Sequence, residues 1–297
     1  MKKIKIFDLK EQYKTISKEV NKNVLDILSS GQYILGKNLL KLEENFSKYV
    51  GSNYAVGCNS GTDALLLSLR AMNIGPGDEV ITSPFSYFAT AEVIALTGAK
   101  PVFADINPHT FNINHKLIEK LITKKTKAII PVHLYGQACE ITEIKRICRK
   151  YNLVLIEDCA QSFGAKMNDQ FTGTFGQFGC FSFFPTKNLG CAGDGGMVVT
   201  NSLQKANILK KLRNHGGLVR NKHEYIGYNS RLDEIQASIL LTKLKIINSI
   251  NKKRIKIAKK YKKMIDNKNI RLPYQSCLLY TSPSPRDQRG SRMPSSA

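Results

Sequence analysis

No stretch of this 297-residue chain approaches the roughly 20 consecutive apolar residues that a membrane-spanning helix needs, so no membrane segment is expected. The N-terminal Met1-Lys2-Lys3-Ile4-Lys5-Ile6 is basic, but Asp8, Lys10 and Glu11 interrupt any signal-peptide core, and a cytoplasmic protein is expected. Paired cysteines are absent too. Cys58, Cys139, Cys148, Cys159, Cys180, Cys191 and Cys277 stand singly, which fits structural thiols in a reducing compartment rather than a disulfide framework. The five histidines do not cluster at ligand spacing, so no metal is expected.

Acidic residues are scarce: 23 Asp and Glu face 45 Lys and Arg, a net charge of +22. Nucleic acid is the first suspicion for so basic a chain. The excess is mostly Lys, however, accompanied by abundant Ile and Asn, as a compositionally biased genome produces. Its densest stretch, Lys243 to Lys268, interleaves Ile246, Ile247, Ile250, Ile255, Ile257, Ala258, Tyr261 and Ile265 with the lysines. That pattern is a helix with a solvated basic face, and no nucleic-acid partner is expected from it.

What is present is an alternation. Residues 8 to 50 read as helices, through Leu25, Ile27 and Leu28 and then Leu39, Leu40, Leu42 and Phe46, with Gly31 and Gly36 as breaks. Strands are expected at Tyr54–Cys58, Glu79–Ser83, Pro101–Asp105, Ala128–Val132, Leu153–Asp158, Cys180–Phe184 and Met197–Thr200. Helices are expected at Asp63–Met72, Thr90–Leu96, His115–Leu121, Ile141–Lys150 and Leu203–His215, with a long one beginning near Leu232. This is the pattern of an α/β domain around a mainly parallel sheet. Past Pro273 periodicity and the Lys/Ile/Asn bias both disappear, and residues 274–297 resemble translated adapter or vector sequence.

Two segments carry chemistry. Leu153 to Ile156 followed by Glu157 and Asp158 reads as a buried strand delivering acids at its C-terminal end, where ligands of open α/β sheets gather. A carboxylate there can cap a helix, bind a metal, or partner the pyridinium nitrogen of pyridoxal phosphate (PLP). Downstream, Lys187 closes the aromatic run Phe181-Ser182-Phe183-Phe184-Pro185-Thr186 before Gly190. Lysine is seldom buried, and an amine in apolar surroundings has a lowered pKa and condenses with carbonyls. The plain alternative is a lysine at a loop edge with its head in water.

Carboxylate first, Gln161 next and lysine later is the order found in aminotransferases of the aspartate-aminotransferase fold. Asn59-Ser60-Gly61-Thr62-Asp63-Ala64-Leu65, Asp78-Glu79-Val80-Ile81-Thr82, Ile156-Glu157-Asp158-Cys159-Ala160-Gln161-Ser162, Phe181 to Gly190, and Gly227-Tyr228-Asn229-Ser230-Arg231-Leu232-Asp233 resemble, in order, the DegT/DnrJ/EryC1/StrS group of nucleotide-sugar aminotransferases. The resemblance runs from Phe7 to about Pro273. It implies the large domain of a fold type I PLP-dependent aminotransferase, with the C-terminal small domain largely missing. The chain then divides into a helical segment at 1–50, the PLP-binding α/β domain at 51–230, a long helix toward a truncated small domain at 231–273, and a non-native, disordered tail at 274–297.

By the same resemblance, Lys187 and Asp158 are catalytic: the lysine joins PLP and moves the proton, and the aspartate faces the ring nitrogen. Gly61, Thr62 and Ser182 would hold the phosphate; helix capping by Ser60 or Thr62 is the alternative. Tyr87 would stack on the ring, although Phe85 and Phe88 compete for that place or for simple core packing. Gln161 would reach the phenolic oxygen or pack on the ring. Asn229 would reach a neighbour's phosphate across a homodimer with shared active sites; Arg231 contributes there or pairs with Asp233 or Glu234, and a helix start capped by Ser230 is the alternative for both. The implied reaction is ping-pong, with glutamate as donor and a keto-sugar on a nucleotide diphosphate as acceptor, a partner that suits the positive charge. C3 amination of the UDP-2-acetamido-2-deoxy-3-oxo-glucuronate type is expected first and of the dTDP-3-keto-6-deoxyhexose type second, both feeding surface-polysaccharide synthesis. A C4-aminating enzyme, a non-catalytic regulatory relative and a basic nucleic-acid binder stay open.

Overall fold

The computed structural model describes residues 8–270, 272, 274 and 279–280. In chain order its elements are α1 (Leu9–Ser30), α2 (Lys37–Val50), β1 (Tyr54–Cys58), α3 (Gly61–Arg70), β2 (Glu79–Thr82), α4 (Ala89–Leu96), β3 (Lys100–Phe103) and α5 (His115–Ile118). Then come β4 (Thr126–Ile130), α6 (Ile141–Lys150), β5 (Val154–Asp158), β6 (Lys166–Met167), β7 (Gln170–Phe171), β8 (Phe178–Ser182), β9 (Gly196–Thr200), α7 (Leu203–Leu212), α8 (Glu234–Met264) and β10 (Leu279–Tyr280).

Seven strands form one mixed sheet in the order β1-β9-β8-β5-β4-β2-β3. β3, β2, β4, β5 and β8 pair in parallel, whereas β9 is antiparallel to both β8 and β1. Two reversals cancel, so β1 runs the same way as β8 and only β9 opposes the rest. The C-terminal ends of six strands therefore share one edge. Side chains alternate across the sheet as the two-residue period requires. Val56, Ile130, Ile156, Phe178 and Val198 face a core with Leu65 and Leu69 of α3, Val93 of α4 and Leu209 of α7. Ala55, Phe181, Met197 and Val199 turn the other way, onto Leu42 and Phe46 of α2 and Leu240 and Ile247 of α8. Ile81, Ile129 and Leu155 meet Ile141, Ile144 and Ile147 of α6 on that same side. The result is three layers, helices on both faces of the sheet.

Differences from the sequence reading have local causes. β8 starts and ends two residues earlier than expected, and it includes Gly179, which lies against the Gly173 backbone where a Cβ would come 2.2 Å from the carbonyl oxygen. α5 is a single turn that passes into a 3-10 turn at Glu119–Leu121. α7 stops at Leu212, ahead of His215 with φ 55° and Gly216 with φ 82°. The β6–β7 hairpin was not expected. In the first two helices, Ile27, Leu39, Leu42 and Phe46 are buried, but Leu25, Leu28 and Leu40 are exposed. Most of the expected 274–297 tail lies outside the described residues; Leu279–Tyr280 pair antiparallel with β6.

Two buried acids tie distant segments together. Glu234, in the first turn of α8, accepts N–H bonds from Gly36 (3.0 Å), Asn38 (2.9 Å) and Leu39 (2.8 Å), and so supplies α2 with the N-terminal anion it lacks locally. Glu43 of α2 pairs with Arg213, and both grip Gly57 of β1: its N–H donates to Glu43 at 2.8 Å and its carbonyl accepts from Arg213 at 2.7 Å.

Candidate active site

At the shared C-terminal edge lies a cavity of about 720 Å³. Most of its walls are segments at the C-terminal ends of strands: Ser60–Thr62 at β1, residues of 84–90 at β2, of 132–135 at β4, of 158–161 at β5 and of 182–188 at β8, with Asp194 and Gly195 ahead of the reversed β9 completing it. Seven of the eight residues expected in the site line it: Gly61, Thr62, Tyr87, Asp158, Gln161, Ser182 and Lys187. Asn229 does not. It is exposed and bridges to Asn214, outside the cavity of its own chain.

Asp158 is only 4% exposed. Its Oδ2 accepts from Thr90 Oγ1 at 2.9 Å and its Oδ1 from Ala160 N at 3.0 Å. Burial raises its pKa above the ordinary carboxylate value; the hydrogen bonds from Ala160 and Thr90, and then the charge of Lys187, pull the other way without cancelling it. A carboxylate held in this condition has room for one more cation. Thr90, at the start of α4, was not anticipated, since its link to Asp158 spans 68 residues and leaves no pattern in the chain.

Lys187 is half-buried in a turn closed twice by backbone bonds, Lys187 N to Phe184 O and Cys191 N to Phe183 O, both at 2.8 Å. Gly190 permits that turn, because a Cβ there would stand 2.5 Å from the Pro185 carbonyl oxygen.

Opposite stands the N-terminus of α3. Ser60 caps it, its Oγ accepting from Asp63 N at 3.0 Å, so the capping alternative is real and falls to Ser60 rather than Thr62. Gly61 touches Ser182 so closely that an added Cβ would lie 2.6 Å from the serine Cβ. Small residues thus bring two strand ends together beside a positive helix end, an arrangement that receives anions.

Among the aromatics, Phe85 stacks on Phe111 at 5.8 Å, Phe88 is turned outward, and Tyr87 lines the cavity while 77% exposed. Gln161 accepts from the Tyr135 N–H at 2.7 Å, which commits its amide oxygen and leaves its NH₂ to donate. Tyr135 has φ 58°, an uncommon backbone for a bulky residue. Arg231 pairs with neither Asp233 nor Glu234; it donates to Asn214 Oδ1 at 3.2 Å. Nor does Ser230 cap a helix: it donates to Asp63 Oδ2 at 2.6 Å.

Beneath the cavity, His133, Glu157 and Cys159 place three ligand-type atoms within 4.8 Å of one another. Their hydrogen-bonding positions are engaged. Cys139 N donates to His133 Nδ1 at 3.0 Å, so Nε2 carries the proton shared with Glu157 at 3.0 Å. Glu157 also accepts from Gly173 N, Phe175 N and Gly176 N at 2.7–2.8 Å. Burial raises the Cys159 thiol well above its ordinary pKa. These groups bind each other and the 173–176 loop; they brace the end of β5 from below. The neighbouring acids of β5 thus point to opposite faces with opposite tasks.

Comparison with known proteins agrees with this geometry. The model of the DegT/DnrJ/EryC1/StrS aminotransferase family matches residues 14–276. The chain is 44% identical over 271 residues to the UDP-2-acetamido-2-deoxy-3-oxo-D-glucuronate aminotransferase of Pseudomonas aeruginosa, covering 91% of this chain and 76% of that protein. It is also 44% identical over 263 residues to a pleiotropic regulatory protein of Geobacillus stearothermophilus, covering 89% and 71%. Among solved structures, S. venezuelae DesV in complex with a ketimine intermediate superposes with a TM-score of 0.92 at 37% identity, covering 96% of this chain and 77% of that one. The Bacillus subtilis protein NtdA with bound cofactor PMP gives 0.83 at 33%, covering 88% and 60%. The chain belongs to the DegT/DnrJ/EryC1/StrS aminotransferase family, whose fold and pyridoxal-type cofactor it shares.

Proposed function

We propose that this member of the DegT/DnrJ/EryC1/StrS family transfers an amino group to C3 of a keto-sugar carried on a nucleoside diphosphate, with glutamate as donor. The carrying observation is the meeting of the Lys187 amine and the buried Asp158 carboxylate in one cavity, faced by the N-terminus of α3. C3 is favoured because the Pseudomonas relative is named for a 3-oxo sugar.

The cavity fits PLP. Gly61, Thr62 and Ser182 would receive the phosphate, where backbone N–H groups and hydroxyls replace its water. Tyr87 would cover the ring, and the free NH₂ of Gln161 would donate to the phenolic oxygen. Asp158, pre-oriented by Thr90 and Ala160, would hold the ring nitrogen protonated and regain in that pairing the charge stability that burial removes. When bound, PLP supplies an aldehyde for amines and an electron-withdrawing ring. Lys187 Nζ would anchor the cofactor, be freed when the donor amine arrives, and then take a proton from the substrate carbon and return it to the cofactor carbon on the far side of the shared nitrogen. Val132, Leu134, Phe85 and Phe184 line the same space and limit water there. Asn229 and Arg231 lie on a surface from which a second copy would be completed, in a homodimer of cytoplasmic enzymes serving surface-polysaccharide synthesis.

The regulatory name of the Geobacillus relative supports a second reading, binding of the cofactor without turnover. One experiment separates the readings. The purified chain with PLP should show a visible band, lose it on borohydride reduction, and carry the label on the Lys187 peptide. In a separate, unreduced sample glutamate should bleach the band, and a 3-keto-sugar nucleotide should restore it. A band unchanged in Lys187→Ala would overturn the assignment; a labelled Lys187 with no response to any amino donor would favour the regulatory reading.

A further inference from the structure

One face of α8 grips the segment that follows Lys187. Gln236 Oε1 accepts from Ala192 N at 2.8 Å, Lys243 Nζ donates to Gly190 O at 2.6 Å, and Asn251 Oδ1 accepts from Asn188 Nδ2 at 3.2 Å. The three side chains are spaced roughly two helical turns apart and so form one stripe. Asn251 is fixed in turn by its Nδ2, which donates to Phe163 O at 3.4 Å. The stripe therefore reaches residues one, three and five positions beyond Lys187.

Its central member is the unexpected one. Lys243 is 7% exposed, yet among the described residues no carboxylate forms an ion pair with it. Burial lowers its pKa, and the nearby Cys191 thiol, itself pushed up to about 11, offers little opposing charge. A strongly hydrated ammonium is a costly way to satisfy one carbonyl, since a neutral side chain would do so with less desolvation. The carbonyl it reaches belongs to Gly190, the tight position that closes the turn carrying Lys187.

We propose that Lys243 is a positioning residue for Lys187: through the Gly190 carbonyl it fixes the 184–190 turn, and with it the reach of the Lys187 amine into the cavity. Gln236 and Asn251 hold the two flanks of the same turn. This rests on Lys187 being the cofactor-bearing lysine, so the test reads that point separately.

The apo chain is mixed with PLP, the visible band is followed in time, and borohydride-trapped peptides are mapped. The wild type labels the Lys187 peptide; a label elsewhere would sink the assignment of the site rather than the role of Lys243. Lys243→Met should load at least tenfold more slowly, while Lys243→Gln, which keeps an N–H donor, should recover most of the rate at a similar melting temperature. Gln236→Ala, which removes one flank and leaves the buried amine in place, should slow loading severalfold and serves if Lys243→Met does not fold. The proposal is overturned if Lys243→Met, or Gln236→Ala in its stead, loads as fast as wild type and only the melting temperature falls.

Discussion

Replacing Asp158 by Asn should make the cofactor-free protein more stable and the enzyme nearly inactive. In the fold the carboxylate is almost wholly buried with two donors, Thr90 Oγ1 and Ala160 N, and burial outweighs them so that its pKa rises from the ordinary 3.8. A group whose folded pKa is raised contributes stability that is fully present below the unfolded value and is lost as pH rises through the folded one. Wild type and Asp158→Asn should therefore melt alike near pH 3 and diverge as pH increases, the variant becoming the more stable. Asn can keep both contacts, its Oδ1 accepting from Ala160 and its NH₂ donating to Thr90. Removing a strained functional charge commonly yields about 1 kcal/mol, or roughly 2–4 °C in melting temperature for a large domain. Saturating PLP should reverse the order. A ligand at 100 times its Kd adds about 2.7 kcal/mol to the form that binds it, and the variant without the countercharge gains less. Turnover should fall on the order of 100-fold or more, equivalent to about 2.7 kcal/mol of transition-state stabilisation. Differential scanning calorimetry from pH 3 to 8, with and without PLP, reads both effects. An apo variant less stable than wild type at pH 7, or a difference independent of pH, would refute the reasoning.

Two further substitutions test the frame of the site. Gly61→Ala should weaken PLP binding at least tenfold, because its Cβ would sit 2.6 Å from Ser182 Cβ; adding Ser182→Gly should recover part of the loss, as measured by absorbance titration. Glu234→Ala removes the shared acceptor of three backbone N–H groups at the start of α2 and should cost about 2–4 kcal/mol in urea unfolding, against less than about 1 kcal/mol for an exposed acid such as Glu44.

The sheet could be read from the chain because its strands are short apolar runs between turn signals, and β1 and α6 begin and end where the pattern says. Gly61, Asp158 and Lys187 could be singled out because each ends or follows such a run, whereas Ser182 came only from the family resemblance; the edge-of-sheet rule then brings them together. What escaped depends on contacts that leave no local trace. Thr90 looks like an ordinary helix-start residue until its hydroxyl meets Asp158 at the end of β5. His133 and Glu157 are separated by 24 residues, and only the fold shows that the acid beside Asp158 is a brace. The expected strand began at Cys180, because the contact of Gly179 with the Gly173 backbone is made only in the folded chain. Leu25 and Leu28 are as apolar as Ile27, and the sequence reading grouped all three, although only Ile27 is buried.

The lone reversed strand, β9, has a consequence for when the molecule can take up its cofactor. Ser60 and Ser182 stand at the ends of β1 and β8, which are not paired with each other but are joined through β9, built from residues 196–200. Until that late strand is in place the two halves of the anion cradle belong to separate pieces of chain. A phosphate bridging them would favour the fully paired sheet, as any ligand that binds only the folded form does.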